Sequence, residues 1–147
     1  MALTDKEKLI EDLGKIDDID DRFTWLIRFG RNAGELDDSK KIDKFKISGC
    51  TSQLWLVPEL KNGKVQFSAD SDAAIPKGLG AVFASVYSGL NPSEAMLLDA
   101  SFLEDAGLSQ HLSMNRRNGL SSLHKQIMLY CATFSALASQ GIENYSI

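Results

Sequence analysis

Lys44-Phe45-Lys46-Ile47-Ser48-Gly49-Cys50-Thr51-Ser52-Gln53-Leu54-Trp55-Leu56-Val57-Pro58-Glu59-Leu60-Lys61-Asn62-Gly63-Lys64-Val65-Gln66-Phe67-Ser68-Ala69 is the stretch that decides the fold. Lys44 to Ser48 alternates polar with apolar, the period of a half-buried strand. Gln53 to Val57 is apolar on both faces, so this second strand is expected to be central. Asn62-Gly63 is a strong short-range hairpin signal. Beyond it Val65, Phe67 and Ala69 alternate with Lys64, Gln66 and Ser68 in a third strand. Pro58 tests this antiparallel meander, because a proline inside a sheet removes a ladder donor. Counted back from Asn62-Gly63, Pro58 faces Phe67. Counted forward from the turn at Cys50, Val57 faces Lys44. Pro58 then falls just beyond the first strand, with its missing N–H toward the open side.

Helical periods flank the strands. Thr4-Asp5-Lys6-Glu7 reads as a capping box, followed by Leu9, Ile10 and Leu13. Ile19, Phe23, Leu26 and Ile27 mark a second helix that opens on acidic residues and stops near Gly34. After residue 70, Ile75, Leu79, Val82, Phe83 and Val86 follow an amphipathic helical pattern, with Ser71 or Asp72 as its cap. Close packing against the sheet accounts for Gly78 and Gly80 in that pattern. Asn91-Pro92-Ser93-Glu94 opens short pieces over 92–98 and 99–106, which end near Gly107. A last helix is expected over about Leu120 to Ala138, with Leu123, Ile127, Tyr130, Phe134 and Leu137 inward. Helices, then strands, then helices describe an α+β fold: a three-stranded antiparallel sheet packed against helices.

The 147 residues read as one domain, 1–147, long enough to bury a core without staples. The net charge of −4 gives no basic footprint for nucleic acid. No stretch of about 18 apolar residues is present, so no membrane span is expected. Met1 to Glu7 shows no signal-peptide core, and a cytoplasmic location is the default expectation. Two cysteines, Cys50 and Cys131, are too few for a disulfide framework and are expected to stay reduced. No two of the cysteines and histidines stand at zinc-ligand spacing, and no metal site is expected.

Cys50 is the residue with chemistry to offer. It sits in Ser48-Gly49-Cys50-Thr51-Ser52, where small neighbours leave room for a partner and Gly49 permits unusual backbone angles. If the alternation of the first strand continues, Cys50 shares a face with Lys44, Lys46 and Ser48. Ammonium groups there would favour the thiolate. The loop alone leaves two readings open, a reactive thiol or a small turn residue without a role. Cys131 falls at helical spacing with Ile127 and Phe134, the setting of a buried, inert cysteine. His111 is a candidate base toward Cys50. Arg116-Arg117, placed in a loop before the last helix, can pair with acidic groups on a partner.

Three ordered blocks carry a resemblance. They are Ser48-Gly49-Cys50-Thr51-Ser52-Gln53-Leu54-Trp55, Ala69-Asp70-Ser71-Asp72-Ala73-Ala74 with Lys77-Gly78-Leu79, and Gln110-His111-Leu112-Ser113 running into Arg116 and Asn118-Gly119-Leu120. The chain resembles the SufE/CsdE family of cysteine-desulfurase partners over about residues 8–137, with a fold similar to IscU-type scaffolds. Met114-Asn115 departs from the pattern, where relatives often carry a proline.

The resemblance implies a sulfur acceptor that takes persulfide sulfur onto Cys50 from a SufS/CsdA-type desulfurase and stimulates that enzyme. Sulfur then passes on for iron–sulfur cluster assembly, to a scaffold such as a SufBCD-type complex. It also implies that the pyridoxal phosphate belongs to the partner and that this chain binds no cofactor; monomer and homodimer both stay open. Gly49, Ser71, Asp72, His111 and Arg116 become candidates for loop positioning or partner binding. Of these, Asp72 would hold the cysteine loop in its resting position and Arg116 would contact the desulfurase. Both the Suf and Csd branches carry these motifs, and the Suf branch is the reading adopted. Cys50 alone cannot supply the several cysteines that a cluster scaffold needs. Two alternatives stay open: a regulatory binding module of a desulfurase that takes no sulfur, and a thiol redox enzyme.

Overall fold

The computed structural model describes residues 4–147. Met1 to Leu3, part of the segment read as lacking a signal-peptide core, lie outside the described residues. Thr4 caps α1 (Asp5–Gly14) through the expected reciprocal box with Glu7. Asp18 caps α2 (Ile19–Asn32), accepting from the Asp20 and Asp21 N–H groups. Two strands follow, β1 (Leu54–Lys61) and β2 (Lys64–Ser71), joined at Asn62-Gly63. Both turn residues have positive φ, 52° and 78°, as a tight primed hairpin turn requires. Then come α3 (Ala74–Tyr87), α4 (Pro92–Met96), α5 (Phe102–Asp105), α6 (Met114–Ser139) and β3 (Tyr145–Ser146).

The antiparallel sheet has three strands in the order β2-β1-β3, with β1 central as expected. Its third member differs from the expected one. Asp43–Phe45 forms a 3-10 turn rather than a strand, because the Phe45 and Lys46 N–H groups bond back to Ile42 and Asp43. Only Lys46 bridges to Trp55, in the register counted from the Cys50 turn, and Ile47 donates to the Leu54 carbonyl. The alternation in this segment is a true burial signal all the same: Phe45 and Ile47 are buried while Lys44, Lys46 and Ser48 are exposed. The third strand is supplied by β3, which pairs with Glu59 and Leu60.

Pro58 pairs with Phe67, as counted from the hairpin. The Phe67 N–H turns away from β1 to the Ser88 hydroxyl, so this is a non-hydrogen-bonded pair. The Pro58 nitrogen therefore faces the second edge of β1, in the gap between the Lys46 bridge and β3. No donor is missed there.

α3 lies against β2 on one side and α2 on the other, and is buried over most of its length. Its crossing with α2 is unusually close. A Cβ on Gly78 would lie 2.5 Å from the Leu26 carbonyl oxygen, and one on Gly30 would lie 2.7 Å from the Gly78 Cα. Gly78 thus packs on α2, not on the sheet, whereas Gly80 meets Ala69 and Leu54 of the sheet. α6 closes the core, burying Leu123, Ile127, Cys131 and Phe134. Cys131 takes the central place in that stripe expected for Tyr130, which is only partly buried. Phe83, Tyr87 and Phe102 form an aromatic cluster beneath, and the Tyr87 hydroxyl donates to the Leu98 carbonyl at 2.6 Å. Among the described residues, no helix is long and apolar enough to cross a membrane.

Candidate functional site

The loop from Ser48 to Gln53 leads into β1. Gly49 turns it with φ of 82°, in the left-handed region where a side chain is disfavoured. Cys50 follows, half-buried, at the wall of a cavity of about 200 Å³. Leu54, Pro76 and Leu79 form its apolar floor, and Ser113, Arg116 and Gly119 come from the start of α6. The site therefore joins the sheet, α3 and α6.

At the sheet end the loop is tethered through one backbone unit, that of Gln53. The Ser71 hydroxyl donates to the Gln53 carbonyl at 2.6 Å. The Gln53 N–H donates to the Asp72 carboxylate at 3.0 Å, and the Asp72 N–H returns to the Gln53 carbonyl at 3.2 Å. Ser71 also accepts from the Ala73 N–H. The expectation that Ser71 or Asp72 caps α3 is corrected here. Ala73 holds the cap position with no side-chain bond, and both polar groups serve the cysteine loop instead.

Below this tether Asp70 is buried, 2 % exposed. It accepts from the Leu36 and Ser71 N–H groups at 3.0 and 2.8 Å and pairs with Lys77 and Lys41 at 3.3 and 3.4 Å. Burial is the largest influence on this carboxyl and acts to raise it. The two backbone bonds and Lys77 together outweigh burial and hold it below its ordinary value. Asp70 thus fixes Ser71, and Ser71 fixes the loop.

The electrostatics of Cys50 run opposite to the expectation. Burial pushes its thiol above the ordinary value. With no strand over Lys44 to Ser48, the expected face of ammonium groups beside the sulfur does not form. The resting sulfur is therefore a neutral thiol of low nucleophilicity. Cys131 is wholly buried, and its thiol is pushed up to about 12 by burial. It is the inert cysteine that its spacing announced.

Arg116 belongs to the first turn of α6, not to a loop before it. The Ser113 hydroxyl caps that turn, accepting from the Arg116 N–H at 3.3 Å. Arg116 is exposed beside the cavity, and among the described residues its guanidinium has no hydrogen-bond or ion-pair partner. Arg117 differs: its guanidinium donates to the Ser109 carbonyl at 2.9 Å. His111 is exposed on a 3-10 turn (Ser109–His111) and takes no part in the cavity wall. Gly119, quoted in the sequence only as part of a motif, stands directly against the Cys50 sulfur. No signal for it was available in the sequence, because the last helix was expected to begin only at about Leu120, whereas α6 starts at Met114. Among the described residues, no three His, Cys, Asp or Glu side chains converge as metal ligands.

Comparison with known proteins adds a family to this geometry. The model of the SufE family, described as an Fe–S metabolism associated domain, matches residues 7–131. An uncharacterized SufE-like protein of Rhizobium etli is 38% identical over 126 residues, covering 82% of this chain and 85% of that protein. Another from Rhizobium meliloti is 33% identical over 130 residues, covering 85% and 93%. Among solved structures, the solution structure of a hypothetical protein from Thermus thermophilus aligns with a TM-score of 0.75. It covers 92% of this chain and 99% of that one at 13% identity, a likeness of fold.

Proposed function

The chain belongs to the SufE family, and from that premise we propose that Cys50 accepts sulfur from the persulfide of a SufS/CsdA-type cysteine desulfurase and carries it toward iron–sulfur cluster assembly. The observation that carries this reading is the placement of the two thiols. Cys50 stands at a surface cavity on a short loop anchored at Ile47 and Gln53, while Cys131 is sealed in the core.

The step is a thiol exchange on sulfur. The Cys50 thiolate attacks the outer sulfur of the partner's cysteine persulfide. A new S–S bond forms at Cys50, the partner's S–S bond breaks, and the partner cysteine leaves as a thiolate. The proton lost by Cys50 balances the one taken up by the leaving thiolate, so no external oxidant or reductant is consumed. The upward-shifted thiol of the resting state is poorly suited to attack. Loop movement on docking would expose the sulfur and restore an ordinary thiolate fraction. The cavity beside the resting sulfur has room for the transferred atom once the loop returns.

Ser71 and Asp72 set the rest position through Gln53. Arg116, charged and, among the described residues, without a protein partner at the cavity rim, is suited to an acidic group on the desulfurase. The partner holds the pyridoxal phosphate, and this chain supplies the accepting thiol alone. The exchange belongs in the cytoplasm, where thiols remain reduced. Delivery to a SufBCD-type scaffold follows.

Replacing Cys50 by Ser tests the reading in a coupled turnover assay. A SufS-type desulfurase is expected to lose its stimulation by this chain with Cys50→Ser and to keep it with Cys131→Ser. Stimulation undiminished by Cys50→Ser would instead identify a regulatory module that takes no sulfur.

A further inference from the structure

We propose that Gly119 is the seat of the resting Cys50 sulfur, a positioning residue whose absent side chain lets α6 withhold the thiol until a partner draws the loop out. The inference rests on the reading of Cys50 as the sulfur acceptor.

Gly119 lies inside a 26-residue helix, where glycine is less favourable than alanine by about 1 kcal/mol. Something must offset that penalty, and its surroundings show what does. A Cβ on Gly119 would lie 2.8 Å from the Cys50 sulfur, 3.8 Å from its Cβ and 3.9 Å from its Cα. The other glycines of this kind differ. Gly30 and Gly78 meet backbone at a helix crossing, Gly80 meets core side chains, and Gly14 meets nothing within 4 Å. Of the helical glycines, Gly119 has its space filled by the nucleophile.

One turn further along, Ser122 completes the seat. Its hydroxyl oxygen is 3.1 Å from where a Cβ on Gly49 would be. Positions three apart share a helix face. Gly119 therefore receives the sulfur and Ser122 the backbone of the same loop.

The ends of the loop and its tip are held by different forces. At one end the Ile47 N–H donates to the Leu54 carbonyl, and at the other Ser71 and Asp72 bond Gln53, all directed hydrogen bonds. At Gly119 the contact is van der Waals, worth only about 0.1–0.2 kcal/mol for each atom pair. The weaker hold is the one at the thiol. A docking partner can lift Cys50 from α6 while the bonds at Ile47 and Gln53 stay intact and act as hinges. Desolvation in the seat also keeps the thiol protonated, so the acceptor is quiet in the absence of its partner.

The test is alkylation of the purified chain by iodoacetamide across a pH series, with Cys50 and Cys131 read separately by peptide mass. Gly119→Ala is expected to evict the sulfur, accelerate Cys50 at neutral pH and lower the midpoint of its pH–rate profile. Each pKa unit recovered gives roughly a three- to fourfold gain, since thiolate fraction rises tenfold while intrinsic nucleophilicity falls. A change that merely loosened the fold would label Cys131, which sits on the same helix. If Gly119→Ala does so, Ser122→Val, which presses on Gly49 instead, is the deciding variant and is expected to act in the same direction. An unchanged Cys50 rate and midpoint, with Cys131 still protected, overturns the proposal. No desulfurase is used, so this result leaves the acceptor reading to be judged by its own test.

Discussion

Asp70 is the residue on which the Gln53 end of the loop depends. Its carboxylate serves two backbone donors and two lysines, and it reaches the loop through Ser71. Because its folded pKa lies below the ordinary 3.8, its contribution is present above that value and is lost as pH falls through the folded pKa. Asp70→Asn is expected to lower stability at neutral pH by about 1.5–3 kcal/mol, the range of hydrogen bonds to a charged group. Denaturant unfolding should show the gap to wild type narrowing as pH drops below 3.8. A gap independent of pH would contradict the assigned charge. The role of Asp70 was invisible in the sequence, where it stands only as one member of a motif block. Its partners Leu36 and Lys41 come from the connection between α2 and β1, and Lys77 from α3. Cys50 was legible as the candidate thiol, but the sign of its shift was not. Alternation in Lys44 to Ser48 suggested lysines beside the sulfur, and periodicity cannot distinguish a strand from a turn with the same burial.

At the scale of elements, the α2–α3 crossing sets where the helical layer stands over the sheet, and so where Pro76 and Leu79 meet Cys50. Gly78 makes that crossing close. Gly78→Ala gains helix propensity, but the new methyl would overlap the Leu26 backbone, which cannot move aside cheaply. A net loss of about 1–3 kcal/mol is expected. Gly14→Ala is the control, since it faces open space; a gain of about 0.4–1 kcal/mol is expected there. Thermal unfolding measures both, and a stabilised Gly78→Ala would contradict the close crossing. Strong periodicity made α1, α2, α3 and the β1–β2 hairpin legible, down to the Pro58–Phe67 pair. The early turns of α6 were hidden because Met114 to Asn118 is exposed and offers no apolar stripe. β3 was hidden because two residues carry no period, and its place is set by Asn144 and Glu143 bonding to the hairpin turn.

For the whole molecule, one frame serves two thiols in opposite ways. The core of α3, α6 and the sheet removes Cys131 from chemistry, and the junction of the same three elements holds Cys50 at the surface. The α+β class was readable because strand and helix periods occur in separate blocks. The family resemblance brought Asp72 to the cysteine loop, but the seating of Cys50 against Gly119 was not readable, since it depends on how distant elements pack. Intact-mass analysis, after incubation with a SufS-type desulfurase and free cysteine, tests this division most directly. One added sulfur atom is expected, located on Cys50, released by a thiol reductant and absent from Cys50→Ser. A chain that gains no mass while the desulfurase turns over, or that carries the added sulfur on Cys131, would contradict it.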